Sequence, residues 1–135
     1  MTRICAEVEL ADALGAPDLA AHAYEPLRHA LAHGVRLAGG WVNSVPRVLG
    51  VAASGARRFG AAREHFEEAL AFAEENDARL ELGRSCLDYA RSSWVEDTAE
   101  GRRRARSLAR RAAVVFEAID APGCAASARR LACQG

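Results

Sequence analysis

The chain has 135 residues, half of them apolar but only 6% aromatic, and alanine is the commonest type. Eighteen arginines and no lysines balance eighteen acids, so the net charge is zero. A chain of this length buries a core without disulfide or metal staples, and its neutrality argues against a dedicated nucleic-acid or membrane-surface protein. No stretch approaches the ~18 apolar residues that span a bilayer. The start, MTRICAEVEL, carries acids where a signal peptide would be apolar. Cys5, Cys86, Cys124 and Cys133 lack CxxC spacing and sit in apolar periodic segments, so they read as small buried hydrophobes in a reducing compartment, with Cys133 the most exposed. A cytoplasmic location follows as the expectation.

Taken in order, residues 3–14 predict an amphipathic helix with Ile4, Val8, Leu10, Ala11 and Leu14 as its apolar set, ended by Gly15. A second helix over 18–33 carries Leu19, Ala20, Ala23, Tyr24, Leu27, Ala30 and Leu31, and Pro26 inside it predicts a kink or a break. Residues 33–48 are the least regular, with Gly34, Gly39, Gly40 and Trp41. A third helix runs from Val45 or Pro46 to Ser54. The stretch RRFGAAREHFEEALAFAEEN (57–76) predicts a helix over 59–75 whose stripe is Ala62, Phe66, Ala69, Leu70 and Phe72. Helices over 78–93 and 100–119 follow, separated by a long turn at 94–101. Pro122-Gly123 stops the latter, and 124–133 forms a short last helix. β-branched residues are sparse, and no sheet is expected.

Ala20…Tyr24…Leu27, Ala62…Phe66…Ala69 and Ala105…Ala109…Ala112 share one spacing, a small residue followed four on by a large or small one and three further by a third, and recur at intervals of 42 and 43 residues. Such a period marks a helix-hairpin solenoid, in which no unit can bury its stripe alone. Leu49-Gly50 falls where a tetratricopeptide repeat has its Leu-Gly pair, and Leu14-Gly15 where it turns between helices, so the chain resembles lengthened tetratricopeptide repeats. The fold class expected is therefore all-α: a right-handed α-α superhelix in one domain over 1–135, with hairpins at 3–33, 45–76 and 78–120 and a cap at 124–133. Its core comprises Leu14, Tyr24, Leu27, Leu49, Phe66, Leu70, Leu87, Leu108, Ala112 and Phe116.

From about Cys5 to Ala132 the segments CAEVELADALG, AAHAYEPLRHA, LGVAAS, AAREHFEEALAFAEEN, RSCLDYAR and RRARSLARRAAVVFEAI look like the C-terminal repeat region of large bacterial signalling ATPases. These include transcriptional activators with a LuxR-type DNA-binding end and ATPases fused to cyclase domains. The resemblance implies a sensor and protein-interaction module, with nucleotide and DNA chemistry elsewhere. The chain itself holds no GxxxxGK[ST] loop.

No motif points to catalysis. His22, His29 and His33 could supply metal ligands, yet no second ligand cluster accompanies them. Gly34, Gly39 and Gly40 follow no strand and precede no lysine, which favours a turn over a phosphate cradle. Arg102, Arg103, Arg104, Arg106, Arg110 and Arg111 form the densest charge run, without interleaved aromatics for base stacking, and read as a solvated outer face. Glu64, His65, Asp88 and Tyr89 show no nucleophile–base–orienter pattern, and Cys86 fits an apolar stripe. The expected function is a non-catalytic protein-interaction scaffold of a signalling or transcription-regulatory system, without metal or cofactor. Its partner would be a protein or peptide, such as an ATPase or regulator domain of the same system. Asn43, Arg47, Arg79, Arg84 and Asp88 are the expected contacts along the first helices of the hairpins. A small-molecule sensor closing on a ligand near Trp41 is the alternative. Residues 51–100 hold eleven acids against six arginines and 101–135 hold eight arginines against two acids, a polarity compatible with self-association.

Overall fold

The computed structural model describes residues 1–38 and 43–134. It is predominantly helical: α1 (Thr2–Ala13), α2 (Pro17–Ala32), α3 (Val45–Gly55), α4 (Phe59–Glu75), α5 (Arg79–Val95), α6 (Ala99–Ala118) and α7 (Pro122–Ala132). Two short strands, β1 (Leu37–Ala38) and β2 (Asn43–Ser44), pair antiparallel with Leu37 opposite Ser44. That pair departs from the expectation of no sheet, and it places Ser44 to open α3, where its hydroxyl accepts from the Arg47 amide at 3.4 Å. The chain falls into two compact units, Met1–Ala69 and Leu70–Gly135. The division falls inside α4.

In the first unit α1, α2 and α3 pack on one another. The inward face of α1 is Cys5, Val8 and Ala11, while Leu10 and Leu14 stand 60% and 69% exposed. Leu14, placed in the core from sequence, instead caps the helix end on the surface. α2 continues through Pro26, which removes one amide from the helix ladder without ending it. Almost every residue of α3 is buried, and Gly50 lets Phe66 of α4 lie against its backbone. A Cβ at Gly50 would sit 2.7–2.8 Å from three ring atoms of Phe66.

In the second unit α5 packs on α6 and α6 on α7, around Cys86, Leu87, Ala90, Ala109, Ala112, Phe116, Ala125, Ala128 and Leu131. Leu70 and Leu108 border this core partly buried. The side chains are mostly alanine, so the helices close on each other and a single large ring fills each gap. Here Gly83 of α5 receives Phe116 of α6, with ring atoms 2.8–3.1 Å from where its Cβ would be. The glycine–phenylalanine lock of α3 and α4 thus recurs in α5 and α6. Its α6 counterpart of Ala62…Phe66…Ala69 is Ala112…Phe116…Ile119, two turns later than the Ala105…Ala109…Ala112 read from spacing.

The turns are built alike. Gly15, Gly34, Arg57, Asp77, Asp97 and Asp120 each adopt a left-handed backbone, with φ between 49° and 80°. After five of them the next amide returns to the carbonyl five residues back: Ala16 to Ala11, Val35 to Ala30, Arg58 to Ala53, Ala78 to Ala73 and Ala121 to Phe116, at 2.8–3.0 Å. This is the Schellman closure, which satisfies orphan carbonyls at a helix end. All five acceptor residues are buried. Pro122-Gly123 accordingly opens α7 rather than stopping α6, and α5 runs on through Trp94, so the long turn expected at 94–101 shrinks. Thr98 begins α6 by accepting from the Gly101 amide at 2.9 Å.

Candidate interaction surface

Polar side chains on apolar helices mark where these units do something other than pack, and α3 and α5 carry the most pronounced examples. Arg47 is 2% exposed, in a helix whose neighbours are valine, leucine and alanine. Its guanidinium donates to Glu9 of α1 at 2.6 Å and to the Asn43 side chain at 3.0 Å. A cation taken from water needs such a partner, and the α1 carboxylate supplies it. Cys5 lies on the same side of α1. Burial, reinforced by the charge of Glu9 and opposed by Arg47, pushes its thiol above the usual range. Asn43 is likewise interior, at 3%. A docking partner reaches the surface only, so these two expected contacts are structural members of the first unit.

The other three expected contacts lie on α5. Arg79 begins the helix, exposed, and pairs with Asp77 at 3.1 Å. Glu81, Arg84, Asp88 and Arg91 recur at spacings of three and four, so acid and base alternate along one side. Arg84 approaches Glu81 to 3.7 Å and Arg91 approaches Asp88 to 3.2 Å. The acids are the more enclosed partners, Glu81 at 5% and Asp88 at 14% side-chain exposure, with the guanidiniums reaching outward at 30% and 53%. Ser85, between the two acids, is fully buried, and its hydroxyl has no hydrogen-bond partner among the described residues. Arg104 of α6 meets α5 on a different side: it donates to Ser93 at 3.2 Å and Glu96 at 2.9 Å, with its guanidinium over the Tyr89 ring.

The remaining candidates are dispersed. Glu64 and His65 belong to the first unit, Asp88 and Tyr89 to the second. His65 Nε2 lies 3.0 Å from the Tyr24 hydroxyl, and the Arg58 guanidinium lies over that ring, 5.4 Å from its centroid. Burial lowers the His65 pKa against the opposing pull of Glu68 and Glu64, which favours the neutral imidazole in its hydrogen bond with the Tyr24 hydroxyl. His22 and His33 turn to backbone carbonyls of Asp18 and His29, and the rings of His29 and His33 stand 4.2 Å apart. Among the described residues no group of three or more His, Cys, Asp or Glu is arranged to hold a metal ion. Cys86 is buried, and desolvation raises its pKa to about 11. Trp41, Gly39 and Gly40 lie outside the described residues. No described helix is long and apolar enough to cross a membrane.

Sequence reading missed the Arg47–Glu9 and Tyr24–His65 pairs, whose members are 38 and 41 residues apart. One signal was present for the first: a lone arginine inside VPRVLGVAA is a cation in an apolar helix, which demands an acid somewhere. No protein-family model, curated protein or solved structure matches this chain.

Proposed function

We propose that the chain is a non-catalytic protein-interaction scaffold built of tetratricopeptide-like helix hairpins, serving a signalling or transcription-regulatory system. The observation that carries this reading is the repeated lock, Gly50 under Phe66 and Gly83 under Phe116. Two hairpins that use the same small-against-large contact are copies of one packing solution. Repeats of this type present to partners the concave side that their first helices line. On α5 that side is the alternating ladder of Arg84 and Asp88 with Glu81 and Arg91, preceded by Arg79. Such a ladder suits an extended peptide, because its outward-reaching arginines fork onto carboxylates or carbonyls while the enclosed Glu81 and Asp88 hold those guanidiniums in place.

The test is affinity capture from an extract of the source cells, using the wild type and an Arg84→Ala/Asp88→Ala double variant of equal helicity. Proteins enriched at least roughly tenfold by the wild type over the variant support the ladder as the docking site. An identical captured set from both proteins sinks it.

A further inference from the structure

Arginine in the second unit is usually matched to a carboxylate: of the eleven from 70 to 135, seven pair with Asp or Glu. Three of the other four share one face of α6. Arg103 and Arg110, seven residues apart, make no hydrogen bond or ion pair among the described residues. Arg106, between them, reaches only the neutral backbone carbonyl of Gln134, at 3.3 Å. α6 has acids only near its ends, and both face other arginines: Glu100 meets Arg104 and Glu117 meets Arg129. Like charges at helix spacings of three, four and seven repel, and no carboxylate among the described residues pairs with these three. One turn beyond Arg110 on the same face stands Val114, 65% exposed.

We infer that this face of α6, turned away from the Gly83–Phe116 contact, is a second docking surface, and that its occupant is a carboxylate-rich amphipathic segment of a partner protein. Guanidinium forks match carboxylates two-for-two, and the rise of ~1.5 Å per residue spreads the three arginines over about two helix turns. An opposing segment with acids at similar spacing meets all three. Val114 calls for an apolar side chain about one turn past those acids. A nucleic acid has no use for the exposed valine, and this face lacks the aromatic rings on which bases stack. The surface is separate from the α5 ladder and stands whether or not that ladder binds a partner.

The test uses the full chain and a fluorescein-labelled synthetic helical peptide with glutamates at positions i, i+3 and i+7 and a leucine at i+11. Anisotropy should show saturable binding that weakens as salt rises from about 50 to about 300 mM. Arg103→Glu/Arg110→Glu should weaken it at least roughly tenfold. Arg3→Glu/Arg28→Glu, the same charge change at exposed sites of α1 and α2, should leave it unchanged, as should the Arg84→Ala/Asp88→Ala variant. Val114→Ser should weaken the leucine peptide but not its serine counterpart. Circular dichroism confirms equal helicity throughout. The inference is overturned by no saturable binding to the wild type, by equal loss in the Arg3/Arg28 variant, or by tighter binding of a labelled DNA duplex than of the peptide.

Discussion

Arg47 shows how much one residue decides. A buried cation is tolerated because Glu9 and Asn43 accept hydrogen bonds from its guanidinium, so removing it strands a half-buried carboxylate against an apolar wall. Arg47→Ala should cost about 3 kcal/mol or more of unfolding free energy, read from the midpoint and slope of urea denaturation. Arg47→Met with Glu9→Leu should recover most of that loss, because an apolar pair of similar volume needs no desolvated charge. A small effect of Arg47→Ala would mean that the ion pair is not formed in solution. The cysteines separate in the same way. Cys124 and Cys133 are exposed, against the reading of Cys124 as a buried hydrophobe, while Cys5 and Cys86 are enclosed. With a pKa of about 11, Cys86 holds almost no thiolate at neutral pH. Iodoacetamide at pH 7.5 should therefore label two sites in the native protein and four in urea, counted by mass spectrometry. Early labelling at Cys86 would contradict its burial.

At the scale of the helix pair, the lock between glycine and phenylalanine carries the fold's geometry. Gly50→Ala forces a methyl into the Phe66 ring, and Gly83→Ala does the same to Phe116. Each should destabilise by about 1–3 kcal/mol through overpacking. Phe66→Leu, harmful alone because it opens a cavity, should become the milder change in a Gly50→Ala background, so a double-mutant cycle should return a favourable coupling. Additive losses would show that the ring and the glycine do not meet. The turns bear on the same scale. A left-handed residue followed by an amide that closes onto a buried carbonyl sets how one helix hands over to the next, which is why Asp77 and Asp120 do the work that Gly15 does in the first turn.

For the molecule as a whole, exposure distinguishes apolar residues that pack from those that do not. Leu10, Leu14 and Leu19 are 60%, 69% and 62% exposed, although two of them fit the apolar period of α1. Their joint replacement by serine should leave stability within about 0.5 kcal/mol per site in thermal unfolding. A loss of several kcal/mol would place them in a core. If these leucines drive association, the triple variant should also sediment independently of concentration where the wild type does not.

The helices themselves were legible in the chain. Their stripes, the glycines and aspartates between them, and the near-absence of strand residues specify local structure, and local structure needs only neighbours within a few residues. Phe59–Glu75 agrees with its sequence bounds for that reason. Seven of ten expected core residues, including Tyr24, Phe66 and Phe116, are buried because large side chains on an apolar stripe have few other places to go. What the sequence could not reveal is which side of each stripe meets a neighbour. Leu14 and Leu10 satisfy the period as well as Val8 does, and only the position of α2 and α3 against α1 turns Cys5, Val8 and Ala11 inward. The same holds for charge. Arg47, Arg84 and Arg103 are the same residue type on three amphipathic helices. Tertiary packing makes the first a buried structural cation, because its carboxylate, Glu9, comes from a distant part of the chain; the second is a rung of a ladder set by Glu81 of its own helix, and the third has no carboxylate partner among the described residues.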